Sequence, residues 1–146
     1  MIRVSVQTGV FDEGAELALL RAEGVGGVAS FTGIVRGDNA LTALHLDHYP
    51  GMTEAMLTAL AEGAAARWSL VGATVLHRVG TLFPGDAIVF VGTASAHRAA
   101  ALEACAFLID RLKTDAPFWK REMFADGRSL WVEPRGSDDT AAARWE

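Results

Sequence analysis

Apolar and polar residues alternate along the first third of the chain in stretches that predict strands around one helix. Residues 2 to 7 alternate as a strand does, and residues 12 to 22 carry leucines on one helical face. Residues 28 to 35 and 41 to 49 then alternate again. The Gly37-Asp38-Asn39 turn between these two strands predicts a hairpin.

The middle of the chain predicts two helices that flank a pair of strands. A helical apolar stripe runs from Thr53 to Trp68. Residues 73 to 79 and 87 to 94 predict strands joined through the turn Phe83-Pro84-Gly85-Asp86. The second of these strands is apolar on both faces, which is typical of a central strand. Residues 96 to 112 then predict the longest helix of the chain.

The last part of the chain predicts a final pair of strands. Pro117 prevents smooth continuation of the long helix, and residues 118 to 124 and 130 to 132 alternate around Asp126-Gly127. Strands and about three helices without regular βαβ alternation predict an α+β fold with mixed or antiparallel sheets. Residues 1–146 are expected to form a single domain.

Composition narrows the classes of function. The chain is 51% hydrophobic with a net charge of -5, which argues against a generally basic nucleic-acid binder. Its beginning lacks the apolar run of a signal peptide, and no apolar stretch approaches the ~20 residues of a membrane span. The single cysteine, Cys105, fits a reducing cytoplasm and lies on an apolar helical face, where a thiol is inert. Any sulfur chemistry must therefore use sulfur from a partner.

The two lysines are the most distinctive feature of the composition. Lys113 and Lys120 are the only lysines beside 11 arginines, and they bracket one short segment. A lysine can lose its proton and act as a nucleophile or general base, whereas an arginine effectively cannot. Two alternatives remain open: the lysines fall close together by chance, or Lys113 merely complements a helix dipole.

Other charged residues indicate an anion site. His97 and Arg98 lie where the central strand gives way to the long helix, beside the positive end of its dipole. Equally, His97 could cap the helix and Arg98 could pair with a surface carboxylate. Arg36 ends a strand from which its side chain can enter a cleft, although a lone arginine there is more often just solvated. Lys120 and Glu122 share one face of the last strand pair, so Glu122 could orient or simply neutralise Lys120.

Several familiar kinds of site are not indicated. His45, His48 and His77 lack a second ligand at helical spacing, and strand histidines are commonly structural, so the sequence predicts no metal. No phosphate-binding glycine loop, dinucleotide fingerprint or serine-nucleophile elbow occurs in the chain. Phosphate-loop and serine-hydrolase functions therefore lose support.

A series of motifs in family-like order covers nearly the whole chain and resembles the large, catalytic subunit of molybdopterin synthase. The motifs are Phe31-Thr32-Gly33-Ile34-Val35-Arg36, His48-Tyr49-Pro50-Gly51-Met52, Phe83-Pro84-Gly85-Asp86, Ser95-Ala96-His97-Arg98 and the segment from Lys113 to Glu122. The resemblance implies a cytoplasmic enzyme of molybdenum cofactor biosynthesis with an α/β-hammerhead fold. It further implies a homodimer flanked by two copies of a small ubiquitin-like sulfur carrier, a heterotetramer overall.

The same resemblance implies a reaction and a set of site residues. The carrier's C-terminal Gly-Gly thiocarboxylate enters a pocket of the large subunit and delivers sulfur to cyclic pyranopterin monophosphate, and two transfers build the dithiolene of molybdopterin. The substrate is then the pterin, and no separate cofactor is implied. By motif, the catalytic residues would be Lys113 and Lys120, the substrate and phosphate ligands Arg36, His97 and Arg98, and the further pocket residues Arg121 and Glu122.

The chain departs from the family pattern in two places. Ile34 stands where relatives can carry a lysine, and the loop from Gly37 to Leu41 looks short. Arg135 is a candidate for reaching across the dimer into a neighbouring pocket. Two other functions use the same residues: a non-catalytic module that binds a carrier tail or anion, and a Schiff-base enzyme with a reactive lysine.

Overall fold

The computed structural model describes residues 1–132 and 136–145, and these residues form two four-stranded sheets with four α-helices. The α+β class predicted from the sequence is confirmed, with one helix more than expected. The strands are β1 (Ile2–Gln7), β2 (Gly27–Ile34), β3 (Leu41–His48), β4 (Gly72–Arg78), β5 (Gly80–Leu82), β6 (Ala87–Ser95), β7 (Phe118–Phe124) and β8 (Ser129–Val132). The helices are α1 (Glu13–Leu20), α2 (Met52–Trp68), α3 (Arg98–Asp115) and α4 (Gly136–Ala143).

The first sheet has the strand order β1-β4-β6-β2, in which β1 and β4 run parallel and the other pairs are antiparallel. As the apolar pattern predicted, β6 lies inside the sheet. Helices α2 and α3 pack on one face, where Leu57, Val75, Val91 and Leu108 are almost completely buried. Burial of these apolar side chains stabilises the packing of α2 and α3 on the sheet.

Helix α1 packs on the opposite face of this sheet, where Leu20 of the helix contacts Gly92 of β6. The Asp12 side chain accepts a hydrogen bond from the Ala15 N–H and so begins the helix. Leu20 at its end is buried against Gly92, where an added Cβ would lie 2.5 Å from Leu20 Cδ1. A side chain at residue 92 would therefore displace Leu20 from its present position against the sheet.

The second sheet has the order β5-β3-β7-β8 and is antiparallel throughout. The predicted pairing of the last two strands is confirmed. A second apolar cluster, which includes Leu44, Leu46 and Leu82, lies against this sheet. Phe118 packs against both this cluster and the first core, so the beginning of β7 joins the two halves of the structure.

The predicted hairpin between β2 and β3 is wrong. Strand β2 pairs with β6, and Val35 extends that pairing through hydrogen bonds to Gly85 and Asp86. Strand β3 instead joins the other sheet, between β5 and β7. The intervening turn redirects the chain, because Asn39 and Ala40 both adopt left-handed backbone angles, with φ of 56° and 62°.

Helix α4 was not expected from the sequence, and contacts beyond its own residues hold it in place. The Trp145 indole donates a hydrogen bond of 2.7 Å to Asp110 Oδ2 and packs edge-on against Trp68 and Phe107. Arg135, the candidate for contact across a dimer, lies outside the described residues. Among the described residues, no helix has the length and apolar character needed to cross a bilayer.

Candidate functional site

A cleft of about 980 Å³ opens where the two sheets meet. Its walls come from the last residues of β2 and the loop after it, the ends of β4 and α3, the start of β6, and strands β7 and β8. This volume lies at the upper end of the range for small-molecule sites, roughly 300 to 1,000 Å³. It is large enough for a small-molecule ligand.

Both lysines line this cleft although they are seven positions apart in the chain. Lys113 lies exposed in the last turn of α3, and Lys120 is half-buried in β7. The bend between them is fixed from α2, where the buried Thr53 hydroxyl donates a hydrogen bond of 3.2 Å to the Pro117 carbonyl. The helix end and the strand start thus place two amines on one cavity.

Arg36 and Glu122 add charges of both signs to the same walls. The Arg36 side chain is 71% exposed, with its Nε 3.3 Å from Asp38 Oδ2, so its guanidinium lies at the mouth of the cleft. Glu122 follows Lys120 on the same face of β7. Ile34 also lines the cleft and presents an apolar side chain there.

His97 and Arg98 do not line this cleft in the chain that carries Lys113. Both side chains are exposed at the start of α3. Fifteen residues of helix separate Arg98 from Lys113, which at 1.5 Å per residue is about 22 Å. Within one chain, His97 and Arg98 therefore lie at the opposite end of α3 from Lys113.

Arg121, unlike its neighbour Lys120, is not among the residues that line the cleft. Its guanidinium carbon lies 5.8 Å from the centre of the Trp131 ring. Its Nε is buried and has no hydrogen-bond partner among the described residues. Trp131 lines the cleft, so Arg121 contacts a lining residue without lining the cleft itself.

His77 is a cleft residue that the sequence interpretation placed only among weak metal candidates. It is 4% exposed near the end of β4, and its ring stacks on Phe118 with centroids 3.8 Å apart and an interplanar angle of 19°. Its Nδ1 lies 2.8 Å from the Arg78 carbonyl oxygen, so Nδ1 carries the proton in the neutral ring. The available signal in the sequence was a histidine that directly follows the apolar residues Val75 and Leu76 in a predicted strand.

The pKa of His77 is lowered from 6.5 to about 4, mainly by burial, while the hydrogen bond to the Arg78 carbonyl acts in the opposite direction. The positive charges of Lys120 and Lys113 contribute to this lowering, with a smaller contribution from His48. At neutral pH the ring is therefore uncharged. It adds no third positive charge beside the two lysines.

This depressed pKa has a consequence for stability. Between pH 6.5 and about 4 the unfolded chain binds a proton at His77 that the folded chain does not, so acidification favours unfolding. We expect this residue alone to remove about 3 kcal/mol of unfolding free energy across that window, with no effect above pH 7. Urea denaturation from pH 7.5 to 4, compared with His77→Phe, measures the difference. Parallel pH profiles of the two proteins would contradict the assignment.

The remaining polar groups suggest neither a metal centre nor a reactive thiol. No group of three potential metal-ligating side chains occurs in residues 1–132 and 136–145. Cys105 is 5% exposed, and burial raises the pKa of its thiol to about 11. The chain's single sulfhydryl is thus protonated and inaccessible at neutral pH.

A family model, sequence relatives and solved structures all match the chain over most of its length. The family model described as "MoaE protein" matches residues 6–115. The molybdopterin synthase catalytic subunit of Pseudomonas aeruginosa is 51% identical over 148 residues, which cover 98% of each chain. The solved structure of a molybdopterin biosynthesis MoaE protein from Burkholderia ambifaria covers 99% of this chain and 98% of its own, with 46% identity and a TM-score of 0.85. A molybdopterin synthase structure from Staphylococcus aureus covers 88% of this chain and 95% of its own, with 27% identity and a TM-score of 0.81.

Proposed function

The chain belongs to the MoaE protein family, and from that premise we propose that it is the catalytic subunit of a molybdopterin synthase. It transfers sulfur from the C-terminal thiocarboxylate of a small ubiquitin-like carrier to cyclic pyranopterin monophosphate. Two such transfers produce the dithiolene of molybdopterin. The observation that carries the proposal is the placement of Lys113 and Lys120 on one cleft.

The chemistry of the cleft residues supports this reaction. Ammonium groups from the two lysines attract the negative thiocarboxylate, and Arg36 at the mouth is suited to the phosphate of the substrate. A lysine that exchanges its proton can also serve as acid or base at the carbon that receives sulfur. Glu122 is placed to orient the neighbouring ammonium. The cyclic pyranopterin is the substrate, and the proposal assigns the chemistry to side chains without a metal or separate cofactor.

The sulfur in this proposal comes from the partner protein. Cys105, the only cysteine, is buried in the first core and its thiol remains protonated. It lies on the packed face of α3 rather than among the residues that line the cleft. An external carrier with a reactive terminal thiocarboxylate meets the need that this thiol cannot. A carrier of that kind belongs to the cytoplasm, where we place the enzyme.

The exposed pair His97 and Arg98 enters the proposal through a second copy of the chain. These two residues lie about 22 Å from Lys113 along the same helix, too far to hold the same small substrate. In a homodimer, one protomer can supply them to the cleft of the other. Two such clefts, each with its carrier, make a heterotetramer.

Reconstitution tests the proposed function directly. The purified protein is mixed with a thiocarboxylated carrier and cyclic pyranopterin monophosphate, and the dithiolene product is quantified over time. We expect product only when all three components are present. A carrier that ends in an ordinary carboxylate is the matched control. Failure to form product with an active carrier preparation would reject the function.

A further inference from the structure

The stack of His77 on Phe118 is the only described ring pair that involves a cleft histidine, and the proposed reaction leaves it without a role. His77 belongs to the first sheet, where it lies opposite Val6 and Val89. Phe118 begins β7 in the second sheet. The stack therefore spans the junction of the two sheets at the wall of the cleft.

Phe118 connects this junction to the lysines. It lies two residues before Lys120 on the same face of β7, about 7 Å along the strand. It also follows the Ala116-Pro117 bend that ends α3, and its N–H donates a hydrogen bond of 2.9 Å to the Ala116 carbonyl. A shift of Phe118 would move Lys120 relative to Lys113, because Phe118 and Lys120 belong to the same strand whereas Lys113 belongs to α3.

The His77 ring is itself held firmly. Its Nδ1–H is bound to the Arg78 carbonyl, and the side chain is almost completely buried. Thr53 in α2 also fixes the Ala116-Pro117 bend, because its hydroxyl donates a hydrogen bond to the Pro117 carbonyl. The segment that carries the two lysines is thus fixed from two independent elements.

We propose that His77 is a positioning residue for the catalytic lysines: by stacking on Phe118, it fixes the start of β7 and thereby the placement of the Lys120 amine relative to the Lys113 amine. The inference rests on the proposed function for its catalytic consequence. The positional effect on the lysines is independent of any reaction. An uncharged ring suits this place, because a charged ring would repel both ammonium groups.

Three variants separate positioning from simple stability. Phe118→Leu and His77→Leu remove the ring stack, whereas His77→Phe keeps a flat ring of similar size. We expect the first two to lower kcat by roughly tenfold to a hundredfold per folded molecule, with KM little changed. His77→Phe is expected to stay within a few-fold of the wild type. Phe83→Leu, at an exposed phenylalanine outside the cleft lining, is the matched control.

The chain offers a readout that needs no activity, since it contains only two lysines. With ¹³C-labelled lysine, the ε-methylene groups give two NMR signals, which Lys113→Arg assigns. We expect the Lys120 signal to move in Phe118→Leu and His77→Leu but not in Phe83→Leu. A Lys120 signal unchanged in folded Phe118→Leu, or a wild-type kcat in that variant, would overturn the inference. A wild-type protein without sulfur transfer rejects the proposed function instead, and the NMR comparison still decides positioning.

Discussion

Replacing Lys120 with alanine is expected to lower the rate of dithiolene formation by at least about 100-fold, because a positioned acid or base contributes roughly 10² to 10⁴ to a rate. The side chain is half-buried at the cleft wall, and the truncation removes both its charge and its titratable proton. Lys113→Ala is expected to cause a loss of similar order. Initial rates with saturating thiocarboxylated carrier measure both effects.

Lysine-to-arginine variants separate charge from proton transfer. Arginine retains the positive charge but does not release a proton at any accessible pH. If the cleft only binds anions, Lys113→Arg and Lys120→Arg keep most of the activity, and the catalytic assignment is lost. We expect instead that at least one of them binds the carrier normally, as measured by calorimetry, and is as slow as the alanine variant.

The control for these substitutions should be a cation on the same hairpin. Arg128 lies in the turn between β7 and β8, pairs with Asp126 at 2.6 Å, and is outside the cleft lining. Arg128→Ala is expected to retain the wild-type rate. A loss equal to that of Lys120→Ala would show that the hairpin as a whole, rather than the Lys120 amine, controls the reaction.

The sequence predicted those parts of the fold in which local pattern and tertiary packing agree. The apolar run of β6 is buried as expected, because other elements surround it, whereas the buried face of α3 includes Leu108 and leaves Leu102 58% exposed. The prediction of a β2–β3 hairpin was wrong because the turn residues Gly37-Asp38-Asn39 indicate a bend but do not determine which strands pair. Strand β2 packs against the first core and β3 against the second, so the two strands join different sheets. Helix α4 was missed because contacts of Trp145, outside the helix, hold it in place.

The candidate site was predictable in its residue types and less so in its grouping. Arg36, Lys113, Lys120 and Glu122 line one cleft. Sequence order already placed Arg98 and Lys113 at opposite ends of the predicted helix, about 22 Å apart, but it could not reveal which end lines the cleft. Nor could it reveal His77, whose importance depends on a stack with a residue 41 positions away. Such groupings depend on sheet topology, which short motifs do not encode.

The separation of Arg98 from Lys113 leads to an expected result for mixed dimers. If each site takes Lys120 from one protomer and Arg98 from the other, a dimer of one Lys120→Ala chain and one Arg98→Ala chain has one site with both wild-type residues. The other site lacks both. Two differently tagged variants, co-expressed and purified through both tags, should therefore recover about half the wild-type activity, although each homodimer is inactive.

The matched negative control uses two residues of the same cleft. Lys113 and Lys120 line one cavity of one chain, so a dimer of Lys113→Ala with Lys120→Ala has one defect in each site and should stay inactive. The same double-tag purification and assay apply to both mixed dimers. Recovery in the first mixture and none in the second requires composite sites, since no arrangement within a single chain restores an intact set. No recovery in either would confine Arg98 to a role outside the partner's cleft.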